Sequence, residues 1–321
     1  MDFCSSAGAA ARQVIAHHTR PEAVRTLNWI AATSRGLGQI YFQSNAWTGM
    51  AVLAGFSIAN WRMAALAIVG LLFSTLSGVL CRRTLGELGN GLHGYCGALV
   101  GAAQFSALGF TWPAAVFAVL GGLACGPVTV AVAWLFYHPS IRNYSLPVTT
   151  APFCIVAGVL FAVHAPLHGP RTDLPEVPRS ILANMGQAIL SNIAEVVLVD
   201  SAIAGAVILL GLFIAHWKVG AAALLGSVLE AVMDLVTGSD VQALAHGLLG
   251  YSGVLTAIAL AAVFVRGTWQ PWVAALVGVV ISSVLAWLMG LTALPVYTWP
   301  FIIATWLVLV VLYYIPGFRH H

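Results

Sequence analysis

The octapeptide LPVTTAPF, Leu146–Phe153, returns near the end of the chain as LPVYTWPF, Leu294–Phe301, with six of eight positions identical. In each copy two prolines bracket a threonine, Thr150 in the first and Thr298 in the second. The residue before a proline is pushed away from helical geometry, and the proline nitrogen donates nothing. The segment therefore predicts a helix opened or kinked inside apolar sequence, with carbonyl oxygens freed beside a threonine hydroxyl. Two copies predict two matching rows of acceptors, and a chain that is a duplication.

The rest of the sequence carries the same repeat. A displacement of 156 lays GLGQIYFQSNAWTG, Gly36–Gly49, on NIAEVVLVDSAIAG, Asn192–Gly205. The same displacement lays GLHGYCGAL, Gly91–Leu99, on GLLGYSGVL, Gly247–Leu255, with six of nine positions identical. The octapeptides align at 148, so one intervening loop differs in length by eight residues. The organisation read from this is a leader, 1–26, a first half, 27–163, a linker, 164–183, a second half, 184–315, and a tail, 316–321. The linker stretch HAPLHGPRTDLPEVPRS has four prolines and mixed charge, which suits a connection between two units.

Composition sets the solvent. Apolar residues make up 60% of the 321, charged residues 7%, and the mean hydropathy is +0.93. A soluble domain carries about 25% charged residues, so most of this surface cannot face water. Apolar runs such as 64–80, 113–137, 219–236 and 272–288 approach the about 20 residues that cross a bilayer. Counting merged and interrupted runs gives roughly ten spans, an all-α polytopic membrane protein surrounded by lipid. An odd number of spans per half would invert the halves. The polar N-terminus has arginines at 12, 20 and 25 and no apolar core, so it reads as a cytoplasmic leader and not a signal peptide. A net charge of +3 gives no reason to invoke nucleic acid, and five scattered cysteines have no metal-ligand spacing. No HExxH, GxSxG or paired CxxC is present, so the chain is read as no enzyme, with no cofactor and no metal.

Duplicated membrane halves place substrate sites at the repeat interface, and the glycine-rich segments beginning at Gly91 and Gly247 mark a pathway there. Glu195 and Asp200 stand beside long apolar runs, where a carboxylate costs at least about 2.5 kcal/mol and defaults to a functional role. Gln39 and Glu195 each precede their glycine segment by 52 residues, which pairs them as acceptors facing one interior. Asp200 aligns with Ser44, so its role is equally structural or functional. Glu230, Asp234 and Asp240 read as interfacial, and His93 and His246 as packing or interfacial.

In duplicate, the GxGQ-type segment, G-x-x-G-aromatic-x-x-x-L and LPVxTxPF resemble the urea transporter family over roughly 27–315. That resemblance implies two inverted homologous halves, ten transmembrane helices plus two re-entrant pore helices, and a homotrimer with one passive urea pore per protomer. It implies a multi-pass protein of the cell membrane, with a bacterial inner membrane as its setting. Carried over by position, it puts Gln39 and Glu195 at two polar stations, with Thr150 and Thr298 at the constriction. It also puts Tyr95, Tyr251, Leu99, Leu255, Phe42, Val196, Leu92 and Leu248 on an apolar slot. Cys96 and Ser252 stand where the family usually has asparagine, which bears on strict selectivity. Urea, flat and neutral with four N–H donors, suits a narrow slot with a ladder of acceptors. Two alternatives remain at this point: a channel of the same fold for ammonia, short amides or water, and a proton-coupled transporter with Glu195 as carrier.

Overall fold

Asn60 and His216, related by the displacement of 156, both interrupt helical backbone. Asn60 has φ −164° and ψ 114°, and His216 has φ −165° and ψ 132°. Each side chain then takes an N–H two residues on, which starts the next helix as a cap does. Asn60 Oδ1 accepts from Arg62 N at 3.0 Å, and His216 Nδ1 from Lys218 N at 3.1 Å. The duplication is thus written in the backbone as well as in the residues.

The computed structural model describes residues 27–167, 181–236, 246–247, 250–292, 295–316 and 319–320. The expected leader, most of the linker, Asp240 and Leu248 lie outside the described residues. In chain order the helices are α1 (Trp29–Gln39), α2 (Ala46–Leu80), α3 (Leu85–Gly89), α4 (Tyr95–Leu108), α5 (Trp112–Phe136) and α6 (Ala151–Val163). There follow α7 (Ile181–Glu195), α8 (Ala202–Ala215), α9 (Trp217–Val236), α10 (Tyr251–Ile258, prolonged by π-helical Ala259–Phe264), α11 (Gln270–Gly290) and α12 (Trp299–Tyr313). The break at Asn60 divides α2 into α2a, 46–59, and α2b, 61–80. Displaced by 156, α2a falls on α8 and α2b on α9, end for end, and α4 falls on α10 with its extension. Displaced by 148, α6 falls on the start of α12.

Four helices, α2, α5, α9 and α11, are long and apolar enough to cross a bilayer. Five more apolar helices are shorter, α4, α6, α8, α10 with its extension, and α12. Apart from one short antiparallel pairing of Val265–Arg266 with Arg319–His320, the described residues form a helical membrane protein, and its outer face says the same. Trp47, Trp112, Trp134, Trp217, Trp269 and Trp287 are all exposed at or near helix ends, where an amphipathic ring sits at the edge of the lipid.

The two halves close on each other through small residues. Gly55 and Gly211 are repeat mates on α2a and α8, and those helices cross there. A Cβ on Gly55 would stand 2.9 Å from Ile208, and one on Gly211 would stand 2.4 Å from Ala51 Cβ. Close backbone approach is how membrane helices gain contact without a hydrophobic drive. Thr48 Oγ1 donates to Gly211 O at 3.1 Å and Tyr41 OH to Ile193 O at 2.6 Å across the same junction.

Candidate functional site

Three matched levels make up the candidate site, and the first and third reach across this junction. The first lies at the C-terminal ends of α1 and α7, where Gln39 and Glu195 are the last helical residues. The turn after each is the same. Tyr41 N, Phe42 N and Gln43 N bond to Gly38 O, Gln39 O and Gly38 O, as Val197 N, Leu198 N and Val199 N bond to Ala194 O, Glu195 O and Ala194 O. Phe42 and Leu198 both sit at φ 61°, a left-handed conformation that bulky apolar residues rarely take and that clusters at functional sites. Gln39 Nε2 donates to Asn90 O at 3.0 Å, which leaves its Oε1 as an acceptor. Glu195 is buried, at 6% exposure, within electrostatic reach of Tyr41, Tyr251 and Asp200.

The residue that matches Phe42 in geometry is Leu198, half-buried where Val196 is fully packed. The displacement of 156 could have found it. The Phe42 ring meets Phe264 and Phe301 of the other half edge-on, with centroids 5.6 and 5.9 Å away.

The second level is headed by Tyr95 and Tyr251, the first residues of α4 and α10. Both helices are entered through a glycine at positive φ, Gly91 at 79° and Gly247 at 72°. Tyr95 OH donates to Thr149 O at 2.5 Å, and Tyr251 OH to Tyr297 O at 2.7 Å. One turn on, Leu99 and Leu255 are buried at 1% and 0%. Leu92 is 43% exposed in the preceding turn.

The third level corrects an expectation. The octapeptides start helices and do not kink them, because Pro152 and Pro300 fall in the first turns of α6 and α12, where a missing N–H costs nothing. The backbone swings through Thr149 at φ 52° and Tyr297 at φ 43° before each helix. Nor are the carbonyls left free. Those of Thr149 and Tyr297 hold the tyrosine hydroxyls, and Pro147 O accepts from Trp306 Nε1 at 2.9 Å. The two threonine hydroxyls make no capping bond and instead meet across the halves, Thr150 Oγ1 to Thr298 Oγ1, at 2.6 Å.

The other polar residues separate cleanly. At one end, Ser44 Oγ contacts Asn90 Oδ1 at 3.3 Å. Their repeat mates, Asp200 and His246, form a 2.6 Å pair between Oδ2 and Nδ1, so sequence reasoning that read both separately missed their partnership. His93 lies 3.7 Å from Glu87. Glu230 is not interfacial: it is 1% exposed and accepts from Ser283 Oγ at 2.6 Å. Among the described residues no cluster of three or more His, Cys, Asp or Glu could hold a metal ion.

The profile of the urea transporter family matches residues 30–313. The chain belongs to the urea transporter family. It is 27% identical over 309 residues to urea transporter 1 of Rattus norvegicus, which covers 90% of this chain and 78% of that protein. Urea transporter 1 of Ovis aries is 26% identical over 308 residues, with the same coverage, and that of Mus musculus 26% over 309. Membership makes it a transporter of a urea transporter fold and not an enzyme. All three matched levels of this urea transporter family member fall inside the matched span, as do Cys96 and Ser252, buried at 4% and 1%.

Proposed function

We propose that this chain carries urea passively down its gradient, through a narrow passage at the junction of its two halves. The observation that supports this most directly is the meeting of Thr150 and Thr298 at 2.6 Å, each presented by a helix start that the repeat supplies twice. On this reading the Gln39 amide oxygen and the Glu195 carboxyl offer further acceptors along the passage, and Phe42, Leu198, Tyr95 and Tyr251 supply apolar walls. A flat neutral donor that sheds water at one acceptor station finds the next one in line, while ions find no hydration to replace their own. The fuller arrangement has ten crossings plus two re-entrant helices, inverted halves, one passage per protomer of a homotrimer, and a bacterial inner membrane. It is proposed on family membership.

Stopped-flow light scattering of proteoliposomes tests the reading, with the wild type beside Glu195→Ala and Thr150→Val. Rapid urea efflux driven by the gradient alone, slowed in both variants and flat with pH, is the expected outcome. Concentrative uptake that needs a proton gradient and Glu195 would replace the passive mechanism with a coupled one. Normal flux in both variants would keep urea and discard this site.

A further inference from the structure

Thr150 and Thr298 are repeat mates, but their surroundings are not. Position 154 is a cysteine, and its mate is Ile302. Cys154 Sγ lies 3.1 Å from Thr298 Oγ1, which in turn lies 2.6 Å from Thr150 Oγ1. All three side chains are buried, at 2%, 3% and 2% exposure in the order Cys154, Thr298, Thr150. Such a row of three groups, each with one hydrogen, can be bonded in two directions. In the first, the thiol donates to Thr298 and Thr298 donates to Thr150. The Thr150 hydroxyl hydrogen is then left over, with no acceptor in the row. In the second, Thr150 donates to Thr298 and Thr298 donates to the sulfur. Both hydroxyl hydrogens are then used, and the unspent groups are oxygen lone pairs and a weak S–H.

Chemistry chooses between them. A hydroxyl is a good donor and a thiol a weak one, and a buried hydroxyl hydrogen without an acceptor carries a desolvation cost. The second direction satisfies both strong donors. Ile302 offers neither donor nor acceptor on the other side, so one sulfur fixes the direction for both hydroxyls.

We propose that Cys154 is a positioning residue for the passage: its sulfur takes the Thr298 hydroxyl hydrogen and makes the threonine pair an acceptor station for a permeant rich in N–H groups. This rests on reading the threonine pair as the narrow point of a urea passage. Without the sulfur, the Thr298 or Thr150 hydrogen turns outward and competes with the N–H donors of the solute.

The test is a double-mutant cycle on urea efflux from proteoliposomes, using the full chain with matched reconstitution. The proteins are wild type, Cys154→Ala, Cys154→Val, Cys154→Ser, Thr298→Val and the double variant Cys154→Ala/Thr298→Val. Loss of one such hydrogen bond predicts an about threefold to tenfold slower flux in Cys154→Ala and in the size-matched Cys154→Val. Cys154→Ser, whose own hydroxyl hydrogen turns back to the Thr150 carbonyl of the preceding turn so that its oxygen accepts from Thr298 as the sulfur does, returns the flux to within about twofold of wild type. In the Thr298→Val background the thiol no longer matters, so the double variant matches Thr298→Val; a packing role would slow it further. Additive losses, or a Cys154→Ser as slow as Cys154→Ala, overturn the inference alone. A Thr298→Val protein as fast as wild type overturns the passage reading, and the inference with it.

Discussion

Tyr95 and Tyr251 show how a single atom divides the work at the narrow level. A phenylalanine would supply the same flat wall, but each hydroxyl holds the carbonyl of a left-handed residue, Thr149 or Tyr297. These carbonyls are therefore structural, and the threonine hydroxyls beside them bond to each other and to Cys154 instead of capping a helix. Tyr95→Phe and Tyr251→Phe should each lower stability by about 1–3 kcal/mol, since each leaves a part-buried carbonyl without its donor. The melting temperature in detergent would register this, while the apolar wall is kept. Unchanged melting in both variants would mean that the hydroxyls do not hold the helix starts. The sequence shows both tyrosines and both threonines by their repeat spacing. It does not show which oxygen is spent, because that depends on a side chain from a different helix reaching a backbone 54 or 46 residues away.

At the scale of elements, the entry to α4 depends on one backbone angle and one close approach. Gly91 has φ 79°, and a Cβ there would stand 2.3 Å from Gly36 N. Gly91→Ala is therefore strained by conformation and by collision, at a cost of about 3 kcal/mol or more. Gly89→Ala, two residues earlier with nothing within 4 Å of its Cβ, should stay within about 0.5 kcal/mol of wild type; expression and thermal melting of the two variants read the difference. The turn of α3 between α2 and α4 also has a pH signature. Glu87 accepts from Thr84 N at 3.1 Å in a capping box, and it is held down to about 2, chiefly by the His93 ring 3.7 Å away. A carboxyl lowered in the folded state stabilises above its unfolded value of about 4.3 and stops doing so as pH falls toward about 2. Melting temperature should thus decline between about pH 5 and pH 2 more steeply in wild type than in Glu87→Gln, and equal slopes would sink the assignment. Element boundaries were legible where a proline, a glycine segment or an apolar run marked them. The breaks at Asn60 and His216 were not, because a polar residue inside an apolar run announces a kink only once its mate is known to do the same.

For the whole molecule, the duplication was the most legible feature, and it was enough to pair Gln39 with Glu195 and Thr150 with Thr298. What it left open is what the side chains touch where the repeat is broken: Cys154 against Ile302, Asp200–His246 against Ser44–Asn90, and Glu230 in a place where its mate is Ser74. Of these, only the Cys154–Thr298 contact joins the two halves; Asp200–His246 and Glu230–Ser283 lie inside the second half, and a displacement of the sequence over itself expresses none of these partners. The joint between halves is itself open to a decisive test at α2a and α8. An alanine at Gly211 would bring its Cβ to 2.4 Å from Ala51 Cβ, while the next atoms, at 3.6 and 3.9 Å, are in ordinary contact. Gly211→Ala should therefore overpack the junction and cost about 1–3 kcal/mol, despite the better helix propensity of alanine. Ala51→Gly alone should cost about 0.5–1 kcal/mol for glycine inside a helix. Combined, the clash is gone and the alanine has only moved from one helix to the other. The double variant should melt near wild type and above Gly211→Ala, with urea flux restored in parallel. If the two losses simply add, α2a and α8 do not meet at this point, and the passage built between the halves loses its frame.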